Sequence, residues 1–279
     1  MFSIRTMHAD DIDLGLRLKD QAGWNQTAAD WQRFLQLEPA GCFVAEWEGR
    51  AAGTTVVTEF GSVAWIAMVL VDEQLRGRGI GTRLVAHALE HLDARGVATV
   101  RLDATPLGRP IYQRLGFAAD YDLARWQGIA PAEDAPSGVS LVADSDLAAV
   151  VELDARISAT GRERLIRYLH RQEPAAMWCL RSPGNLLGYA ALRTGSRAFQ
   201  VGPAGAVGAA AGQQLLSAAA YHARGRGVFL DIPEQNRPAT AWAESRGFVI
   251  QRRFTRMTRG TAIHDQPALL WASSGPENG

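Results

Sequence analysis

The stretch Val63-Ala64-Trp65-Ile66-Ala67-Met68-Val69-Leu70-Val71-Asp72-Glu73-Gln74-Leu75-Arg76-Gly77-Arg78-Gly79-Ile80-Gly81-Thr82 decides the fold of this chain. Val63 to Val71 is an apolar run of β-branched and large side chains and reads as a buried strand. A short polar turn follows, and a glycine-rich loop then opens a helix. The helical pattern runs through Ile80, Leu84, Ala88 and Leu92, with Val85 and Leu89 beside it, and stops near Gly96. A strand feeding such a loop and then a helix N-terminus makes an anion site. The first-turn N–H groups have no intrahelical partner, and the helix dipole favours negative charge. Glycines let the backbone approach the ligand, and Arg76 and Arg78 add charge suited to phosphate oxygens. The expected ligand group is a pyrophosphate.

Two common phosphate loops are excluded. No Gly-Lys-Ser/Thr ends this one, and it lacks the Gly-x-Gly-x-x-Gly spacing of a dinucleotide fold's first turn. The pattern is Arg/Gln-x-x-Gly-x-Gly/Ala after a Val71-Asp72 strand end, and it resembles the acetyl-CoA loop of the GNAT superfamily of N-acetyltransferases. Downstream, a strand at Ala98 to Asp103 precedes Tyr112-Gln113-Arg114-Leu115-Gly116-Phe117, similar to the Tyr-x-x-x-Gly-Phe signature of the same superfamily. Two motifs in order are more specific than either alone.

Taken in order, Phe2 to Thr6 reads as a strand and Asp10 or Asp11 caps a helix. Residues 22–27 break it, and a second helix covers Ala28 to Leu37. Strands at Cys42 to Glu46 and Ala52 to Glu59 meet at a Glu48-Gly49-Arg50 turn. A Pro/Ala/Gly-rich polar stretch after Trp126 reads as a linker. Beyond it the chain repeats. A shift of 135 residues carries Asp11-Ile12 onto Asp146-Leu147, Glu38-Pro39-Ala40 onto Glu173-Pro174-Ala175, and Gly53 onto Gly188. Leu102-Asp103 matches Leu230-Asp231, and Gly116-Phe117 matches Gly247-Phe248, at slightly smaller offsets. The expected organisation is two tandem α/β (α+β) units, each a twisted, mostly antiparallel mixed sheet flanked by helices. Residues 1–128 form the catalytic unit, 129–138 the linker, and 139–279 a degenerate copy. Where the phosphate loop should recur, Val201 to Gly208 has no arginine, Pro203 removes a donor, and Ala243 stands in the position of Tyr112. The second copy is expected to bind CoA poorly or not at all.

Composition narrows the function classes. The 279 residues carry 29 basic and 29 acidic side chains, so no net charge favours nucleic acid or an anionic membrane. The start has no apolar h-region, no stretch approaches membrane-spanning length, and Cys42 and Cys179 are isolated in strands. A soluble cytoplasmic protein, monomer or homodimer, is expected.

The resemblance implies direct attack of an amine on acetyl-CoA in a ternary complex, without a metal. It implies that Met68, Val69 and Val71 lie along the pantetheine arm, with a backbone N–H near Val69 polarising the thioester carbonyl. Arg76, Gly77, Arg78, Gly79, Ile80, Gly81 and Thr82 would hold the diphosphate. Tyr112 falls on the tyrosine that protonates the departing thiolate, or else packs beneath the sheet with its hydroxyl satisfied. Many members place an asparagine seven residues before that tyrosine; this chain has Thr105, a secondary contact, and Arg109 could reach a phosphate or substrate carboxylate. Many also carry a glutamate on the strand before the loop, whereas Val63 to Met68 has no acid. Glu59 and Asp103 are the candidate bases, although Asp103 recurs as Asp231 and so leans towards structure. Trp24, Asn25 and Trp65 form a candidate wall for a small amine. Trp31, spaced with Phe34 and Leu35, reads as core. His87 and His91, four apart on a helix, read as a solvated face rather than a metal pair. Arg252, Arg253, Arg256 and Arg259 form a basic strand that either pairs on the surface or faces a substrate carboxylate across the two units. A non-catalytic acyl-CoA sensor and a protein lysine acetyltransferase are the alternatives to a small-molecule enzyme.

Overall fold

The computed structural model describes residues 1–173 and 176–279. Pro174 and Ala175, part of the Glu-Pro-Ala repeat noted above, lie outside the described residues. The first half runs β1 (Phe2–Thr6), α1 (Ile12–Gln21), α2 (Ala28–Leu37), β2 (Cys42–Trp47), β3 (Arg50–Phe60), β4 (Val63–Val71), α3 (Ile80–Ala94), β5 (Thr99–Ala104), α4 (Arg109–Arg114) and β6 (Ala118–Ile129). The second half repeats that order: β7 (Val139–Leu141), α5 (Leu147–Ser158), α6 (Glu163–Gln172), β8 (Met177–Ser182), β9 (Asn185–Arg193), β10 (Phe199–Ala206), α7 (Ala209–His222), β11 (Gly227–Pro233), α8 (Arg237–Ser245) and β12 (Val249–Gly260). A short β13 (Leu270–Ala272) is added at the end. β6 takes Ile129, the first residue of the expected linker, into the sheet.

One sheet carries both halves, in the order β1-β2-β3-β4-β5-β12-β6-β11-β10-β9-β8-β7. That order is a palindrome of equivalent strands about the β12–β6 pair. Among the described residues only β4–β5 and β10–β11 pair in parallel. The halves exchange their last long strands: β6 pairs with β11 of the second half, and β12 pairs with β5 of the first.

Helices cover both faces, as expected for strands whose alternate side chains are all apolar. In the first half, Val85, Ala88, Leu89 and Leu92 of α3 pack with Phe43, Ile66, Val100 and Leu102. Leu18 of α1 and Trp31 and Phe34 of α2 pack on the opposite face with Val44, Val56 and Trp65. Each fully buried leucine of this kind contributes on the order of 1.5–3 kcal/mol. His87 and His91 do not stand on a solvated face. They are half-buried, edge-on to the Phe43 ring at 4.6 and 5.3 Å, because α3 packs against β2 there. Cys42 and Cys179 are free and buried.

Two buried ion pairs fasten the exchanged strands, and they are equivalent in the two halves. Arg256 on β12 donates to both oxygens of Asp103 on β5, at 2.8 and 2.9 Å. Arg125 on β6 does the same to Asp231 on β11, at 2.7 Å twice. Burial opposes the charge of Arg256, and Asp103, Tyr121 and Asp265 together more than offset it, leaving the guanidinium's pKa raised. Residues 273–279 then return into the seam. Trp65 Nε1 donates to the Pro276 carbonyl at 3.0 Å, Arg193 pairs with Glu277, and Arg162 Nη1 donates to the Asn278 carbonyl at 3.0 Å.

Candidate active site

β4 and β5 run parallel only from Val63–Trp65 against Thr99–Arg101, and then separate. The divergence is reinforced on the other side of β4. The β3–β4 register slips between Thr54 and Val56, and Met68 adopts a left-handed φ of 51°. Met68 and Val69 therefore have no ladder partner on β3. The separated strands open a cleft of about 880 Å³, within the range of small-molecule sites.

One end of the cleft is the N-terminus of α3. Gly79 is its N-cap at φ 78°, no side chain caps the helix, and its first turn holds no acid. The N–H groups of Gly79 to Thr82 have no hydrogen-bond partner among the described residues. A Cβ placed on Gly77 or Gly79 would meet no atom within 4 Å, so the space before these amides is open. Arg76 is anchored by Nε to the Val71 carbonyl at 3.2 Å and also lines the cleft. Bare amides, a dipole terminus, open space and a fixed guanidinium fit a coenzyme diphosphate.

Along the middle, Met68 to Val71 face Leu102, Asp103, Thr105 and Tyr112 across the gap. Tyr112 stacks edge-on to Phe117 at 6.0 Å, and its hydroxyl has no hydrogen-bond partner among the described residues. Burial pushes its phenol up to about 12, so it stays protonated at any working pH.

At the inner end the lining brings Trp24 and Gln26 together with Arg125 of β6, Arg252, Arg253 and Phe254 of β12, and Pro276 and Glu277 of the returning tail. Asp103 and Glu277 are the acids lining the cleft, and neither is free. Asp103 is held by Arg256, while Glu277 accepts from Arg193 and from Gln26 Nε2 at 3.2 Å.

Several expected site residues sit elsewhere. Arg78 does not line the cleft; its guanidinium lies 5.6 Å over the Trp47 ring. Arg109 is exposed in the first turn of α4 and does not line the cleft. Glu59 does not reach the cleft: it pairs with Arg95 and lies 3.8 Å from His91. Asn25 is buried at the seam, where its Oδ1 accepts from the Arg197 and Ala198 N–H groups and its Nδ2 donates to the Ala198 carbonyl. Trp65 is likewise buried against the chain's final turn. Arg125 and Glu277 were not expected at the site, since only the strand exchange and the returning tail bring them to the cleft; Gln26 follows Trp24 in the loop between α1 and α2. Arg252 and Arg253 belong to the basic strand that the sequence singles out.

The equivalent place in the second half is closed by its own chain. β10 passes into α7 through Val207 and Gly208 alone, where β4 and α3 are separated by residues 72–79. β13 pairs with β10 at Ala204 and Gly205, and Trp271 packs onto Gly212 of α7. Among the described residues no cluster of three or more His, Cys, Asp or Glu is placed to hold a metal, and no helix is long and apolar enough to cross a membrane.

Comparison with known proteins agrees with this geometry. Residues 14–117 match a family model described as acetyltransferase (GNAT) family, and residues 150–272 match one described as acetyltransferase (GNAT) domain. A holothin acyltransferase from a Pseudoalteromonas species is 26% identical over 213 residues, spanning 75% of this chain and 71% of that one. A putative acetyltransferase from Pyrococcus horikoshii superposes with a TM-score of 0.87 at 22% identity, covering 100% of this chain and 96% of its own. A tandem GNAT protein from the clavulanic acid biosynthesis pathway superposes with a TM-score of 0.63 at 20% identity, covering 95% and 100%. With both halves matched, the chain belongs to the GNAT family, as a tandem-domain N-acetyltransferase.

Proposed function

We propose that the chain transfers an acetyl group from acetyl-CoA to an amine of a small molecule, by direct attack in a ternary complex. The half spanning 1–128 holds the coenzyme and the half spanning 139–279 shapes the acceptor end. The observation that carries this reading is the continuity of one cleft, from the bare amides of α3, past Tyr112, to a pocket closed by the second half.

Acetyl-CoA, when bound, supplies the thioester whose acyl carbon accepts the amine. The amides of Gly79 to Thr82 and Arg76 hold its diphosphate. The backbone at Met68 and Val69, which has no ladder partner on β3, offers the Val69 N–H towards the thioester oxygen, worth a few kcal/mol by analogy with other acyl transfers. Tyr112 donates its proton to the leaving sulfur. With Asp103 and Glu277 both engaged, no carboxylate of the cleft is available as base. The amine gives its proton to water. The acceptor end, lined by Pro276, Glu277 and Gln26, belongs to a cleft of about 880 Å³ in all, a size that suits a small acceptor over a protein lysine.

The test is release of free thiol from acetyl-CoA across a panel of small amines, with Tyr112→Phe beside the wild type. Removal of a general acid lowers turnover by roughly 10²–10⁴-fold. Equal turnover near neutral pH would remove Tyr112 from the mechanism.

A further inference from the structure

The four arginines of β12 have different fates. Arg253 pairs with Glu234, Arg256 with Asp103 and Arg259 with Asp93. Arg252 has no carboxylate partner among the described residues. Its hydrogen bond runs from Nε to the side-chain oxygen of adjacent Gln251, at 3.0 Å. It is half-buried and lines the inner end of the cleft beside Phe254.

The sheet register makes that position costly. Arg252 lies directly opposite Arg125 across the β12–β6 pair, and like charges so placed destabilise a sheet. Every acid within reach is committed. Asp231 takes two bonds from Arg125 and a third from Gln200 Nε2 at 3.3 Å. Glu277 is held by Arg193 and Gln26. Burial, Arg125 and exposed Arg197 hold the Arg252 guanidinium below its usual pKa, with Asp231 acting the other way. Apart from Arg76 in the diphosphate loop, Arg252 is thus the one cleft-lining arginine without a carboxylate partner among the described residues, and its half-buried charge favours an anion beside it. No residue of the diphosphate loop is among the charges that act on it.

We infer that the accepted amine belongs to a molecule that also carries a carboxylate, and that Arg252 holds this carboxylate. The inference rests on the small-molecule transfer proposed above. One unmatched guanidinium balances a monoanion, and its planar fork fits a carboxylate's two oxygens. A phosphate dianion would leave surplus negative charge beside Asp231 and Glu277. Trp24 and Met68 then face the carbon skeleton of the acceptor.

Thiol release is measured with wild-type protein on α- and ω-amino acids, their carboxamides, the corresponding decarboxylated amines, polyamines and aminoalkyl phosphates. At least one amino acid should exceed both its carboxamide and its decarboxylated amine by about 10-fold or more in kcat/KM, the effect of losing one charge-assisted contact. In Arg252→Gln that ratio should fall towards one, through KM rather than kcat, and Arg252→Lys should restore part of it. Calorimetry on Arg252→Gln should return the wild-type CoA affinity; a loss there assigns the arginine to the coenzyme and overturns the inference. Preference for carboxamides, polyamines or aminoalkyl phosphates also overturns it, while leaving small-molecule transfer intact. No thiol release from any of these amines, by protein that still binds CoA, overturns the small-molecule reading itself.

Discussion

Replacing Asp103 by Asn separates the two roles this residue could have, a base in the cleft or a fastener of the exchanged strands. The Asp103 and Arg256 side chains are 2% and 3% exposed and share two hydrogen bonds. Asp103→Asn removes the charge but leaves Arg256 buried against the Trp65 ring, at 4.8 Å, with no other carboxylate bonded to it. Breaking a buried pair from one side costs about 3–5 kcal/mol. At about 2–4 °C per kcal/mol for a chain of this size, the midpoint should fall by roughly 6–20 °C. The assay is thermal and urea unfolding of Asp103→Asn, Arg256→Met and Asp103→Leu/Arg256→Met. The double variant, which buries no unmatched charge, should regain most of the loss, and its acetyl transfer should persist. A single variant less than about 1 kcal/mol below wild type would refute the buried-pair reasoning. A stable double variant without activity would make Asp103 a catalytic residue.

Other predictions follow from the same geometry. Because burial raises the Tyr112 phenol to about 12, it keeps its proton through pH 10, where an exposed phenol is half ionised. kcat/KM should therefore not fall between pH 8 and 10, and a descending limb centred at or below 10 would contradict the assignment. Asn25→Ala should cost about 1–3 kcal/mol, because it leaves the Arg197 and Ala198 amides unpaired at the seam, and CoA affinity should not change. A weakened CoA affinity with unaltered unfolding would instead return Asn25 to the site. Trp271→Ala should destabilise by about 3–5 kcal/mol through the cavity left over Gly212, visible in urea unfolding; a change under 1 kcal/mol would mean that β13 is not integral to the second half.

What could be read from the sequence is mostly local. The strand from Val63, the loop through Gly79 and the helix to Ala94 are set by short-range periodicity and glycine placement, and they appear as expected. The duplication was legible because a register of 135 survives from Asp11-Ile12 to Gly53/Gly188, with the paired Leu-Asp and Gly-Phe steps recurring at slightly smaller offsets. The exchange of β6 and β12 was not, since either strand satisfies its alternation beside either half. Arg125 and Glu277 therefore could not be placed at the cleft, and the basic strand could not be divided into three paired arginines and one unmatched. The recurrence of Asp103 as Asp231 pointed to structure, but only the structure supplies their partners, Arg256 and Arg125. Glu59, Asn25 and Trp65 were placed by sequence proximity to the cleft, and ordinary packing claims each of them. The weakened loop of the second copy was visible as missing arginines; its closure by β13 lies more than sixty residues downstream and could not be.

The central claim is that the first half grips the coenzyme diphosphate with the amides at the start of α3, and that the second half's equivalent slot is filled by its own chain. Calorimetric titration of CoA into the full chain and into Gly79→Leu tests it most directly. At φ 78° a leucine is strained by roughly 1–2 kcal/mol and stands in the space before the amides. The expected result is one CoA bound per chain, weakened roughly 10–100-fold or more in Gly79→Leu as charge-assisted contacts are lost. No heat with CoA, two equivalents per chain, or undiminished affinity in Gly79→Leu would contradict the account.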